Sequence, residues 1–298
     1  MITQRSFDTK SKYGTLYLVP TPIGNLEDMT FRAVSVMKQV DLIAAEDTRN
    51  TQKLLNHFEI ETKQISFHEH NTVQRIPELI DKLKKGISIA QVSDAGMPSI
   101  SDPGHELVVA CIKSEITVVP LPGANAGITA LIASGVSPQP FYFYGFLSRK
   151  PKEQRDELAK LVNRQETLIF YEAPHRLLKT LKSLQNSFGG LRAASLCREL
   201  TKKHEEFIRG TLDQVVEWAN STTIRGEFVI IVSGNAQPLE ENKTDNLMEN
   251  LSLTQQVDIY IKDGLSVNES IKKVAKAHNL RKQVVYNEYH DIKLILFT

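Results

Sequence analysis

The chain has 298 residues, 41% of them hydrophobic, enough for more than one buried core and for two or three domains. Its 36 Lys and Arg nearly cancel its 35 Asp and Glu to leave a formal charge of +1, so no global basic field announces a nucleic-acid partner and any such contact must be a local patch. Two cysteines, Cys111 and Cys197, both in apolar runs, exclude a disulfide framework and read as buried reduced thiols, with the cytosol as the expected location.

In chain order, a polar N-terminal extension over 1–13 carries Arg5, Lys10 and Lys12 and leads into no signal-type apolar stretch. From residue 15, β-branched or aromatic runs alternate with helical periodicity, the pattern of α/β layers around a mainly parallel sheet. Strands are expected at 15–21, 42–46, 64–67, 87–93 and 116–120, and helices at 31–39, 51–58, 76–85, 103–114 and 126–134. Asp102 before Pro103 reads as an N-cap followed by a proline at the first helical position. The most apolar region, 118–136, is broken by Pro120, Pro122, Gly123, Asn125, Gly127 and Gly135, so no membrane helix is expected.

A second α/β block opens near Pro138, with strands at 141–147, 167–171, 193–200, 206–210 and 227–233 and helices at 153–163, 175–187 and 212–219. Consecutive strands between 193 and 210 imply some antiparallel pairing. A linker is expected over 235–245, followed by a helical tail in which Ser252-x-x-Gln255 and Ser266-x-x-Glu269 have capping-box spacing. The reading is therefore α/β: an N-terminal domain over 14–136, an unlike second domain over 137–234 with a cofactor cleft between them, and a small C-terminal helical, helix-turn-helix-like domain over 246–298.

Ligands in open α/β sheets bind at the carboxyl ends of strands, and four such ends here are rich in Gly, Pro and small polar residues. They are Pro20-Thr21-Pro22-Ile23-Gly24-Asn25, Glu46-Asp47-Thr48-Arg49, Ser93-Asp94-Ala95-Gly96-Met97-Pro98 and Leu121-Pro122-Gly123-Ala124-Asn125. One loop of this kind is ordinary turn chemistry; four in succession point to a ligand. The first loop matches neither G-x-G-x-x-G nor G-x-x-x-x-G-K-[ST], which disfavours a dinucleotide or a nucleoside triphosphate.

These blocks, together with Tyr171-Glu172-Ala173-Pro174-His175-Arg176 and Arg198-Glu199-Leu200-Thr201-Lys202, resemble in order the signature blocks of the small-subunit ribosomal RNA methyltransferase I family, within the tetrapyrrole methylase superfamily. The resemblance runs from about 15 to 234 and extends into the tail. It implies a homodimeric α/β enzyme of tetrapyrrole methylase type that uses S-adenosylmethionine. It also implies an acceptor, the 2′-hydroxyl of a cytidine in the decoding region of 16S ribosomal RNA, in the assembled small subunit. By resemblance the methyl donor is lined by Pro20, Thr21, Pro22 and Gly24, by Asp94, Ala95, Gly96 and Ser101, and by Pro122, Gly123 and Ala124. The second domain adds Tyr142, Phe143, Tyr171, Gly226, Glu227 and Phe228. Tetrapyrrole-modifying relatives carry G-x-G-P-G in the first loop; its absence here points away from a porphyrinoid acceptor. The rival reading is a methyltransferase of the same superfamily acting on a tetrapyrrole or another non-RNA acceptor.

A weakly nucleophilic hydroxyl needs a base, and a cation can stabilise its developing negative charge. Glu46, Asp47 and Arg49 offer both within one strand end, with an ion pair plus helix cap as the equal structural alternative. Glu172, with His175 and Arg176 after it, and Arg198, beside Glu199, are further catalytic candidates; Arg198 either grips phosphate or pairs with Glu199. His68-Glu69-His70 puts two imidazoles on one face of an extended segment but lacks the other ligands of a metal site, so none is expected. Lys272, Lys273, Lys276, Arg281 and Lys282, without an intervening acid, form the clearest basic patch and the expected RNA contact, on helices near 267–277 and 281–289.

Overall fold

The computed structural model describes residues 3–6, 12–236, 251–278 and 280–290. They fall into two compact units, 1–236 and 237–298. The first unit opens with a five-stranded sheet of order β3-β2-β4-β1-β5, in which every pairing is parallel: β1 is Leu16–Leu18, β2 Leu42–Ala45, β3 Gln64–Ser66, β4 Ile89–Val92 and β5 Val118–Pro120. Helices α1 (Phe31–Gln39), α2 (Thr48–His57), α3 (Thr72–Lys84) and α4 (His105–Lys113) cover it, and both faces are buried, which is why β2 is a continuous apolar run and β4 one broken only by the buried Gln91, rather than alternating. The N-terminal segment docks on the edge strand, Gln4 exchanging two side-chain hydrogen bonds with the Val118 backbone at 2.8 and 2.9 Å.

Helix α5 (Ala126–Ser134) joins this sheet to the next. Ala130 and Leu131 pack on Ile169, Cys197, Val229 and Ile231 of a second five-stranded sheet, of order β6-β7-β10-β8-β9. Its strands are β6 (Phe141–Phe146), β7 (Thr167–Glu172), β8 (Ala193–Arg198), β9 (Glu206–Thr211) and β10 (Phe228–Val232). Only β6 and β7 pair in parallel; the other three pairings are antiparallel. Helices α6 (Pro151–Leu161), α7 (Pro174–Phe188) and α8 (Leu212–Ser221) cover its other face over a core of Leu, Phe, Val and Ile.

Four local readings change. Helix α2 starts at Thr48 rather than 51, because Asp47 caps it, accepting from the Arg49 backbone N–H at 2.8 Å. Helix α3 starts at Thr72 rather than 76 and admits Pro77 early, where the missing N–H leaves only the carbonyl of the exposed Val73 to solvent. Helix α4 is capped by Gly104, not Asp102; the chain turns there at φ +142°. His68 to His70 is likewise not extended, since Glu69–Asn71 is a 3-10 turn, the His68 backbone N–H donating to the Asn71 side-chain oxygen at 2.9 Å. No metal-ligating cluster, and no helix long and apolar enough to cross a membrane, occurs among the described residues.

The second unit holds α9 (Leu253–Lys262), α10 (Val267–Ala277) and α11 (Lys282–Tyr289) around Val257, Ile271, Val274, Ala275 and Val285. Ser252 and Ser266 form capping boxes with Gln255 and Glu269. The expected linker lies, past Ala236, outside the described residues.

Candidate active site

The loops after β1 and β4 are tied together, because Thr21 and Gly96 exchange backbone hydrogen bonds at 3.0 Å each and the Thr21 hydroxyl donates to the Ser93 carbonyl at 3.1 Å. Beside them a cavity of about 410 Å³ opens between the carboxyl ends of the first sheet and the second sheet. That volume suits a small-molecule ligand. Ala95, Gly96, Ile100, Ser101, Asp102 and Asn125 line it from the first half; Phe146, Tyr171, Glu172, Lys202, Glu227 and Phe228 line it from the second. The Tyr171 hydroxyl accepts from the Gly127 N–H at 3.0 Å, fastening the second sheet to the start of α5, and burial raises its pKa.

Not every residue assigned to the donor lies on this wall. Thr21, Pro22, Gly24 and Asp94 line a smaller neighbouring recess with Asn50, Lys53 and Leu54. Pro20 and Gly123 pack on each other so closely that a Cβ on Gly123 would stand 2.5 Å from Pro20 Cβ. Pro122 and Ala124 continue that loop up to Asn125, which caps α5 by accepting from the Ile128 N–H. Phe143 sits one layer back, its ring 5.1 Å from that of Tyr171. Tyr142 is a correction: it packs on the α6–α8 side of the sheet, with the Arg164 guanidinium 4.0 Å from its ring centre, facing away from the cavity. Gly226 precedes the wall residue Glu227 and abuts Glu199.

The charged candidates are brought together but mostly spent on one another. The Asp94 N–H donates to Glu46 at 3.2 Å, while the Asp94 carboxylate accepts from the Asp47 N–H at 3.2 Å and from Asn50 at 3.0 Å. Asp47 accepts from Arg49 Nε and Nη2, at 3.1 and 2.7 Å, which with the backbone bond lowers its pKa to about 2. Burial raises the pKa of Glu46, helped by the charges of Asp102 and Asp94 and opposed by the Asp94 N–H. Glu172 is enclosed, accepting from Thr180 at 2.6 Å and from the Ala173 N–H at 2.9 Å, with Arg176 Nε at 3.4 Å. Arg198 is off the wall: it donates to the Arg225 carbonyl at 2.7 Å and pairs with Glu206, not Glu199, at 3.0 Å.

Two charged wall residues were not among the site residues expected from the sequence. Lys202 bonds Glu199 at 3.0 Å and Glu227 at 2.9 Å, and its Cγ lies where a side chain on Gly24 would begin, 2.3 Å from an added Cβ. It stood in a signature block, but only its link to Glu199, three residues away, is a local signal. Asp102, read as a helix cap, instead faces the cavity. In the other unit Lys272, Lys273, Lys276, Arg281 and Lys282 are exposed; Lys273 Nζ lies 4.2 Å above the Tyr260 ring and Lys282 donates to Asn268 at 3.2 Å.

Residues 15–216 match the family of tetrapyrrole (corrin/porphyrin) methylases. The chain is 54% identical over 287 residues to the ribosomal RNA small subunit methyltransferase I of Bacillus subtilis, covering 96% of this chain and 98% of that protein. It is 53% identical to the protein of the same name from Halalkalibacterium halodurans, over 98% of this chain and all of that one. In fold it is similar to uroporphyrin-III C-methyltransferase from Thermus thermophilus, solved with S-adenosyl homocysteine: TM-score 0.54 and 16% identity over 74% of this chain and 97% of that one. From the family match and these near-full-length relatives, the chain belongs to the tetrapyrrole methylase family, in the branch whose members are named ribosomal RNA small subunit methyltransferase I.

Proposed function

We propose that this chain transfers the methyl group of S-adenosylmethionine to 16S ribosomal RNA, at the 2′-hydroxyl of a cytidine in the decoding region. We further propose that it acts as a cytoplasmic homodimer on the assembled small subunit. The observation that carries the reading is the cavity between the two sheets, built from the signature loops in a chain whose relatives bear that name over nearly their full lengths. Bound there, the donor supplies an electrophilic methyl group on a cationic sulfur. The wall suits such a molecule: apolar and aromatic surface at Ile100, Phe146 and Tyr171, with polar groups converging from Ser101, Asp102 and Asn125. Ala95, Gly96, Ser101, Tyr171, Glu227 and Phe228 hold the donor, framed by Pro20, Thr21, Pro22, Gly24, Asp94, Pro122, Gly123 and Ala124. Alignment of donor and acceptor across the two halves then does most of the catalytic work.

Lys272, Lys273, Lys276, Arg281 and Lys282 contact RNA phosphate, their exposure on α10 and α11 supporting that role. The test is calorimetry with S-adenosylmethionine followed by transfer of labelled methyl to small subunits that lack the modification. Donor binding with transfer to the subunits is expected. Binding without transfer rejects the acceptor. Replacing Lys272, Lys276 and Arg281 with Gln should weaken subunit binding and flatten its salt dependence by up to about one unit of slope per lost phosphate contact.

A further inference from the structure

We propose that a groove beside the donor cavity, between the loop after β1 and the turn joining β8 to β9, seats the RNA strand next to the acceptor nucleotide, with Lys203 and Lys53 holding its phosphates. The assignment rests on the ribose-methylation reading above. The groove has a volume of about 770 Å³ and runs between Asn25, Leu26 and His57 of the first half and Thr201 to Lys203 of the second. Lys202 lines both the groove and the donor cavity, so the two spaces meet at its side chain.

An acceptor hydroxyl carried on a polymer sets a requirement that a small acceptor does not. The backbone flanking the reacting nucleotide must leave the cavity along a path that is open to solvent and supplied with cations. The groove meets both conditions. Lys203 on its wall is exposed and, among the described residues, pairs with no carboxylate. Lys53, one helical turn before His57 on α2, is likewise exposed and without an ion pair; its Nζ reaches only Asn50, at 3.5 Å. It lines the recess that shares Gly24 and Leu26 with the groove. Glu27 is the acid on the groove wall, and Lys202 is already matched by Glu199 and Glu227, so Lys203 and Lys53 are the cations left to meet phosphate.

The turn that carries Lys203 is held in an unfavourable conformation. Glu199 and Thr201, neither of them glycine, have φ of +49° and +65°. The Thr201 N–H is fixed by the Glu205 carboxylate at 2.7 Å, while the Thr201 hydroxyl is enclosed with no hydrogen-bond partner. Strained backbone and an unsatisfied buried hydroxyl both work against folding, and they collect where a chain is held for a ligand rather than for its own packing. Here they hold consecutive lysines at the junction, Lys202 on the cavity wall and Lys203 along the groove.

The test uses the full chain and small subunits that lack the modification, and compares wild type, Lys203→Gln and the double variant Lys53→Gln, Lys203→Gln. A control of equal charge, Lys38→Gln with Lys113→Gln, alters exposed lysines in the last turns of α1 and α4, at the other end of the first sheet. Steady-state transfer gives kcat and the KM for subunits across a range of salt, and calorimetry gives the affinity for S-adenosylmethionine. Each groove lysine removed should raise the KM about 3- to 10-fold and make its salt dependence shallower by about 0.7 in log–log slope. Donor affinity and kcat should stay within about twofold of wild type, as for a contact made equally before and during the reaction. The control should match wild type. The assignment is overturned if the double variant keeps the wild-type KM and slope, if the control raises the KM as much, or if donor affinity falls as far as subunit affinity. A higher KM with an unchanged slope overturns it too, since that is the mark of a contact with ribosomal protein rather than RNA phosphate. Wild-type protein that binds the donor but leaves the subunits unmethylated rejects the acceptor reading itself, whereas normal wild-type transfer with an unaffected double variant rejects the groove alone.

Discussion

Replacing Thr180 with Val should destabilise the first unit by about 2 kcal/mol without slowing methyl transfer per folded molecule. The Thr180 hydroxyl meets the Glu172 carboxylate at 2.6 Å, and both residues are only 2% exposed. A hydrogen bond to a buried charge is worth about 1.5–3 kcal/mol, and Val fills the same volume without the donor. Glu172 keeps the Ala173 N–H and the nearby Arg176, so the carboxylate is weakened rather than orphaned and the loss stays inside that range. For a unit of this size about 2 kcal/mol lowers the melting temperature by about 4–8 °C. Thermal unfolding by circular dichroism reads the shift, and single-turnover transfer at a temperature where both proteins are folded reads the chemistry. A melting temperature unchanged within about 1 °C would refute the energetic argument. A slowed transfer step would show that Glu172 acts on substrate rather than anchoring α7.

Two further outcomes follow from the perturbed groups. The Asp47 carboxyl should titrate at about 2 by NMR because the Arg49 side chain and backbone donate to it, and Arg49→Met should move the midpoint up toward the usual 3.8; an unmoved midpoint rejects the pairing. Since the folded value lies below the unfolded one, whatever stability this pair adds is complete above about 3.8 and is lost as pH falls through about 2. Burial pushes the Cys111 thiol up to about 12 and the Cys197 thiol up to about 11. Iodoacetamide at pH 8 should therefore label neither in native protein and both after denaturation, and rapid native labelling of Cys197 would show that the cavity opens to it.

Where the determining signals are local, the sequence reading coincides with the structure. Helices α1 and α5 have the expected bounds because Thr30 and Asn125 cap them from adjacent positions. The two tail boxes work the same way. The site was legible as a set of loops, since Gly and Pro mark strand ends, but not as a network. Glu46 meets Asp94 across 48 positions, Lys202 meets Glu227 across 25, and Arg198 finds Glu206 on the paired strand, none of which one-dimensional spacing encodes. Asp102-Pro103 has all the local marks of a helix start; the contact with Gln91, twelve residues before Pro103, decides otherwise. Which aromatic faces the cavity was equally hidden, because alternation along β6 is interrupted.

That interruption is a register shift between Phe143 and Gly145 against β7. Tyr142 and Tyr144 pack on the α6–α8 side, whereas Phe143 and Phe146 both meet Tyr171, at 5.1 and 5.6 Å, although an odd number of positions separates them. One surplus residue has therefore turned the end of the strand over. The aromatic at the cavity mouth is specified by counting as much as by chemistry: removing a single residue from the bulge would keep every side-chain type and send Phe146 into the opposite layer. Within this strand, length variants are thus more hazardous to the ligand wall than conservative exchanges of one aromatic for another.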